Sequence, residues 1–239
     1  MTDLMMNLLS VASQATPMEA LGDCPPIDKE GLFDSKGVLL PKPAAFYRSL
    51  TVAQRAMLGH EHGIYSFPTI EAVNFLRRIV EGREHKTIEI GAGNGGWCKA
   101  LGIRGTDSFL QRRPDIAAKY ASMGQPPASY GPHVEKLEAI KAIRKYRPEV
   151  VIGSWVTQKF RADRFCMRGN VDGVDEIRLL ELVDEYIIIG NTAQHGDKMI
   201  LDDIAKEISK HKIVRAMVTD LASRAVHGKD FILHLKRKS

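Results

Sequence analysis

Short apolar runs alternate with amphipathic stretches through the last two thirds of the chain, and the spacing assigns an element to each. Residues 86–90, with Ile88 and Ile90 inside Lys86-Thr87-Ile88-Glu89-Ile90, predict a short strand that stops at Gly91, and a brief helix follows over residues 95–101. A second strand is expected over 103–106, ending at Asp107, and a third over 133–136. Leu137, Ile140 and Ile143 share one side of a helix over 137–146. The run Val150-Val151-Ile152 marks a buried strand within 149–155, and Ile177, Leu179, Leu180 and Val183 mark a helix within 173–183. Another strand is expected over 185–189, a helix over 200–210, and two final strands over 213–218 and 231–235. Strands that alternate with helices predict an α/β fold, a Rossmann-like mostly parallel sheet with helices on both faces. The last two strands have no helix between them, so they predict an antiparallel C-terminal hairpin at one edge.

The first third reads differently. Gly22-Asp23-Cys24-Pro25-Pro26 and Pro41-Lys42-Pro43 interrupt any regular element, so residues 1 to about 45 are expected to form a weakly ordered arm. Phe46, Leu50, Ala53, Met57 and Leu58 predict one helix over 44–59, and Ser66 or Thr69 would cap a second helix carrying Ile70, Val73, Leu76 and Ile79. The domain division that follows is an N-terminal helical extension over 1–60 and a Rossmann-like domain over 61–239.

Composition narrows the class. The chain has 239 residues, 44% hydrophobic and 26% charged, which supplies enough apolar material for a core and excludes a wholly disordered chain or a fibrous rod. No apolar run approaches the ~18 residues of a membrane span, so no membrane partner is expected. The N-terminus has no basic segment and carries Asp3, and three scattered cysteines (Cys24, Cys98, Cys166) make a poor disulfide framework; both fit a reducing cytoplasm. A net charge of +5 permits nucleic-acid contact without demanding it, and part of the excess is the terminal Lys236-Arg237-Lys238.

The informative chemistry lies in Glu89-Ile90-Gly91-Ala92-Gly93-Asn94-Gly95-Gly96, which follows a strand and opens a helix. Glycines there let the chain turn tightly and let a ligand approach the backbone, at the carboxyl edge where open α/β sheets bind ligands. Gly91-x-Gly93-x-x-Gly96 also matches the dinucleotide fingerprint, which keeps a nicotinamide-dependent oxidoreductase as an alternative. Against it, Asp107 comes only 14 residues after Gly93, where that pattern places its acid ~20 residues on. The acid-x-Gly-x-Gly-x-Gly segment resembles the first motif of the class I S-adenosylmethionine-dependent methyltransferases. That resemblance implies S-adenosylmethionine as cofactor, with Glu89, Gly91, Gly93, Asn94 and Gly95 around its methionine part. It further implies Asp107 on the ribose hydroxyls, and Glu138, with Glu135 second, as the acid that meets adenine. Asp107 can equally be read as a cap for the segment that follows it.

Methyl transfer from a sulfonium demands little acid–base help, so few catalytic groups are expected. Ser154 and Trp155 follow the fourth strand and His195 follows the fifth, where loops converge on the crevice. These three are the catalytic candidates. Trp155 suits stacking or core filling, and His195 suits a base or an ordinary loop histidine. Residues 159–168 form a basic run with Phe160 and Phe165 interleaved, suited to a polyanion or simply to a solvated loop. The acceptor, whether small molecule, protein or nucleic acid, is not identified by any motif, which keeps open a non-catalytic methyltransferase-like interaction module.

Overall fold

Alternate residues of each apolar run serve opposite layers. The structure, a computed structural model, describes residues 24–122, 126–163 and 169–239. Strand β5 (Val150–Ser154) sends Val151 to one layer and Val150 and Ile152 to the other, and β6 (Glu185–Asn191) divides Tyr186 and Ile188 from Ile187 and Ile189 in the same way. Such period-2 sorting with both faces apolar is what a sheet covered on both sides requires.

The sheet has seven strands in the order β4-β3-β2-β5-β6-β9-β7. The others in it are β2 (Thr87–Ile90), β3 (Arg104–Asp107), β4 (Val134–Lys136), β7 (His211–Met217) and β9 (Asp230–Arg237). Strands β2 to β6 pair in parallel, while β9 pairs antiparallel with both β6 and β7. The expected C-terminal pair is therefore present, but β9 lies inside the sheet and β7 forms its edge.

Helices α3 (Ile70–Val80) and α4 (Gly96–Leu101) cover one face. Helices α6 (Ala139–Tyr146), α7 (Glu176–Leu182) and α9 (Met199–Ala205) cover the other. Helix α3 buries Ala72, Val73, Leu76, Ile79 and Val80. Each of its larger side chains contributes about 1.5–3 kcal/mol by leaving water. Thr69 begins it, its hydroxyl accepting the Ala72 N–H at 3.1 Å.

Several boundaries differ from the sequence pattern for local reasons. The helix expected over 44–59 is two, α1 (Ala44–Ser49) and α2 (Val52–Glu61), because Thr51 and Gln54 form a capping box that restarts the chain. Ser66 does not cap a helix. It belongs to β1 (Ser66–Phe67), which pairs antiparallel with β8 (Ala222–Ser223) in a separate two-stranded sheet. The long stretch after β3 contains a helix, α5 (Pro114–Ser122). Over residues 24–43 the chain carries no helix and is not a detached arm. Leu32, Val38 and Leu39 are buried, and Leu32 and Leu39 pack with Tyr47, Leu58, Ile64 and Phe67. The remainder of that expected arm, residues 1–23, lies outside the described residues, as do Cys166 and much of the basic run over 159–168. No helix among the described residues is long and apolar enough to cross a membrane.

Candidate functional site

Strand order reverses direction between β2 and β5, so the crevice of the sheet opens beyond Ile90 and Ser154. The glycine loop turns there. Gly93 has φ +50°, in the left-handed region, and a Cβ on it would meet nothing within 4 Å. Its neighbours are packed instead: a Cβ on Gly91 would stand 2.8 Å from Val156, and one on Gly95 would stand 2.6 Å from the His133 ring. The loop is thus held from both sides and bare in its middle.

Two carboxylates flank that bare position. Glu89, on β2, is 1% exposed, and its Oε2 accepts the Cys98 N–H at 2.8 Å. Burial pushes its pKa up to about 8, the Cys98 N–H opposes the rise, and the nearby Asp107 charge adds to it. Asp107, at the end of β3, accepts the Gly93 N–H at 3.0 Å and the Phe109 N–H at 2.8 Å. Burial raises its pKa as well, against those two bonds. Among the described residues neither acid has an ion-pair partner. Two desolvated acids with no cation are costly, and a ligand bringing positive charge or hydroxyl donors would relieve both.

The other sequence candidates divide. Asn94 is buried, but its side chain faces the N-terminal segment: Oδ1 accepts the Leu39 N–H at 2.7 Å and Nδ2 donates to the Gly37 carbonyl at 2.9 Å. It fastens residues 37–39 as a wall of the cleft. Glu138 caps a helix: its carboxylate accepts the Ile140 and Lys141 N–H groups at 3.0 and 3.1 Å and starts α6. Glu135 is also engaged, in an ion pair with Lys145 at 2.6 Å.

Ser154 and Trp155 line the cleft together with Glu89, the glycine loop, Tyr65 and Leu39. Trp155 has φ +55°, unusual for a bulky residue, and its buried indole N–H has no hydrogen-bond partner among the described residues. Its ring lies 5.9 Å from Tyr65 and meets His195 edge-on at 5.0 Å. His195 is buried in α8 (Thr192–His195), and its Nδ1 accepts the Asn191 N–H at 3.0 Å. In the neutral ring the proton then sits on Nε2, which donates rather than takes a proton. The ring braces Trp155 in this arrangement and presents no free basic nitrogen. The cleft encloses about 410 Å³ counted to its open mouth.

Tyr65, Phe109, Tyr130 and Leu39 were not among the sequence candidates. They sit in irregular segments, and long-range pairing places them: β1 against β8 beside Tyr65, which lines the cleft as Leu39 does, and the Tyr130–His133 stretch against the glycine loop.

No family model and no curated protein matches the chain. Solved structures do. The magnesium protoporphyrin IX methyltransferase of Synechocystis PCC 6803, solved with bound S-adenosylmethionine, aligns at TM-score 0.42 and 13% identity over 78% of this chain and 84% of that one. An rRNA methylase from Streptococcus thermophilus aligns at TM-score 0.40 and 10% identity over 71% and 96%. The O-methyltransferase of tomaymycin synthesis from Streptomyces achromogenes, in complex with S-adenosylmethionine, aligns at TM-score 0.39 and 13% identity over 89% and 100%. Its own strand order, its reversed β9 and a glycine loop at the switch point give the chain a Rossmann-like fold.

Proposed function

We propose that the protein is an S-adenosylmethionine-dependent methyltransferase. The observation that carries this reading is the pair of carboxylates on either side of the open Gly93 position, Glu89 buried and Asp107 half-buried, neither ion-paired among the described residues. The donor set suits the cofactor. Glu89 would hold its cationic amino group, the bare face of Gly93 would admit its backbone-hugging portion, and Asp107 would accept from ribose hydroxyls with the lone pairs that the Gly93 and Phe109 N–H groups leave over.

When bound, the cofactor supplies a methyl group on a sulfonium, an electrophile that needs no metal or acid to leave. The chain's own work is then positioning. Ser154 and Trp155 stand at the end of β5 and would line the acceptor side. The Trp155 N–H is a donor in want of an oxygen or nitrogen lone pair, and the Tyr65 ring facing it favours a planar acceptor. With Nε2 protonated, His195 supports the Trp155 ring. A base role there would require the other tautomer and the loss of its bond to Asn191.

The test is calorimetric titration with S-adenosylhomocysteine. The wild-type protein is expected to bind. Gly93→Val, which adds a branched side chain at positive φ into the open space, and Asp107→Ala are each expected to abolish binding. A wild type that takes up no ligand, or two variants that bind as it does, would falsify the assignment.

A further inference from the structure

At the Asp107 end of the crevice the chain packs two of its own rings together. The ring of Tyr130 lies on the ring of Phe109, centroids 4.1 Å apart and planes 16° from parallel, with the Arg112 guanidinium 4.7 Å from one ring and 5.0 Å from the other. Phe109 is the second residue beyond Asp107, and its N–H binds that carboxylate. The next residue after Tyr130 is tied to the glycine loop: the Gly131 N–H donates to the Gly93 carbonyl at 3.1 Å. Gly131 comes so near that a Cβ on it would stand 2.3 Å from the Asn94 carbonyl oxygen. His133 completes the contact, its Nε2 lying 3.1 Å from the Gly95 carbonyl oxygen.

Gly93 therefore has its N–H held by Asp107 and its carbonyl held by Gly131. The residues lining the open part of the cleft include Glu89, Ser154 and Trp155 but not Asp107, Phe109 or Tyr130. A second observation marks the same place. Phe109 holds φ +58°, a conformation that is strained for an aromatic residue and that persists only where the surroundings enforce it. A flat ring at stacking distance beside an acid suited to ribose occupies the space that a base attached to that ribose would need.

We propose that Tyr130 stands in for the purine base of an adenosine ligand: in the ligand-free protein its ring covers Phe109, and a bound nucleoside displaces it and takes its place in the stack. The inference rests on the reading of the site given under Proposed function. It makes the Tyr130–His133 segment a competitor that lowers apparent affinity by the fraction of molecules in which the segment has left. It also assigns opposite roles to the two partners of one aromatic pair, since Phe109 serves the ligand and Tyr130 opposes it.

The experiment is titration of the full chain with S-adenosylhomocysteine, comparing wild type, Tyr130→Ala, Tyr130→Phe and Phe109→Ala. An aromatic pair exchanges for about 2- to 10-fold in binding. Tyr130→Ala should therefore bind about 2- to 10-fold more tightly than wild type, and Phe109→Ala should bind more weakly by a similar factor. Tyr130→Phe, which keeps the stack, should stay within about 2-fold. Should Tyr130→Ala fail to fold, hydrogen exchange of the Gly131 amide in the wild type replaces it, and that amide should lose protection when the ligand is added. If the wild type binds but Tyr130→Ala binds no more tightly, or Gly131 keeps its protection in the complex, the displacement idea is overturned while the methyltransferase reading stands. If neither wild type nor any variant binds, both are overturned.

Discussion

Glu89 offers a prediction in which stability and binding move in opposite directions. In the unfolded chain its carboxyl titrates near the ordinary value of 4.5, and in the fold burial first, with Asp107 adding, lifts it to about 8. A folded pKa above the unfolded one means that the native state binds more protons between those values. The stability linked to Glu89 is then fully present below about pH 4.5 and is lost as pH rises through about 8. Each pH unit in that window costs about 1.4 kcal/mol, so between pH 4.5 and pH 7 the loss is about 3 kcal/mol. Glu89→Gln removes the titration, and its amide oxygen can still accept the Cys98 N–H that Glu89 accepts now. The variant is expected to be about 3 kcal/mol more stable than wild type near pH 7 and within about 1 kcal/mol of it at pH 5, as read by urea unfolding at the two pH values. It should nevertheless lose affinity for S-adenosylhomocysteine, because an amide offers no charge to an amino group. In the wild type that affinity should rise about 5-fold from pH 7 to pH 8, as the ionised fraction of a group with pKa near 8 grows from about one tenth to one half. A Glu89→Gln protein that is no more stable than wild type at pH 7, or whose advantage is the same at pH 5, would refute the reasoning.

Two further outcomes follow from charges outside the cleft. Lys198 and Glu176 form a buried ion pair at 2.5 Å, and Lys198 also donates to the Val156 carbonyl at 2.9 Å, which fixes the turn that carries Trp155. Lys198→Ala leaves the Glu176 charge buried without its partner and should cost about 3–5 kcal/mol in urea unfolding, the usual toll for breaking such a pair. At the opposite edge of the sheet, burial pushes Glu185 up, but Arg83, Lys236 and His234 outweigh it and hold its pKa at about 2. Its contribution is present above about pH 4.5 and fades as pH falls toward 2. An acid-unfolding curve of Glu185→Gln should therefore be flatter than that of wild type over that interval, and equal slopes would count against it.

The parts of the fold that were legible in the sequence are those whose cause is local. Val150-Val151-Ile152 and Tyr186-Ile187-Ile188-Ile189 announce strands buried on both faces because a run of three or four apolar residues between turns suits a sheet covered on both sides. The glycine loop is legible for the same reason, since its φ values are a property of the residues themselves. Sequence pattern fails where meaning depends on a partner far along the chain. Ser66 and Phe67 look like a helix entry until Ala222 and Ser223 pair with them. Glu138 looks like a free acid at a strand end, but the first turn of α6 has three N–H groups to satisfy and takes its carboxylate for two of them. Asn94 sits inside a ligand-binding motif, yet its amide spans 55 residues back to Leu39, and no periodicity reports that reach. Phe109 and Tyr130 fall in a Pro- and Gly-rich stretch with no pattern of its own, so their stacking is invisible before folding.

The insertion of β9 between β6 and β7 has a consequence for the order in which the molecule can be assembled. Synthesis delivers β7 before β9, yet β7 has no neighbour in the main sheet except β9. Until β9 arrives, β6 presents a bare hydrogen-bonding edge lined by Ile187 and Ile189, and β7 has nothing to join. The nascent protein thus passes through a stage in which a long apolar strand is available to any other extended chain. Closure waits for residues 230–237, so the strand that covers the β6 edge is made only after β7 itself.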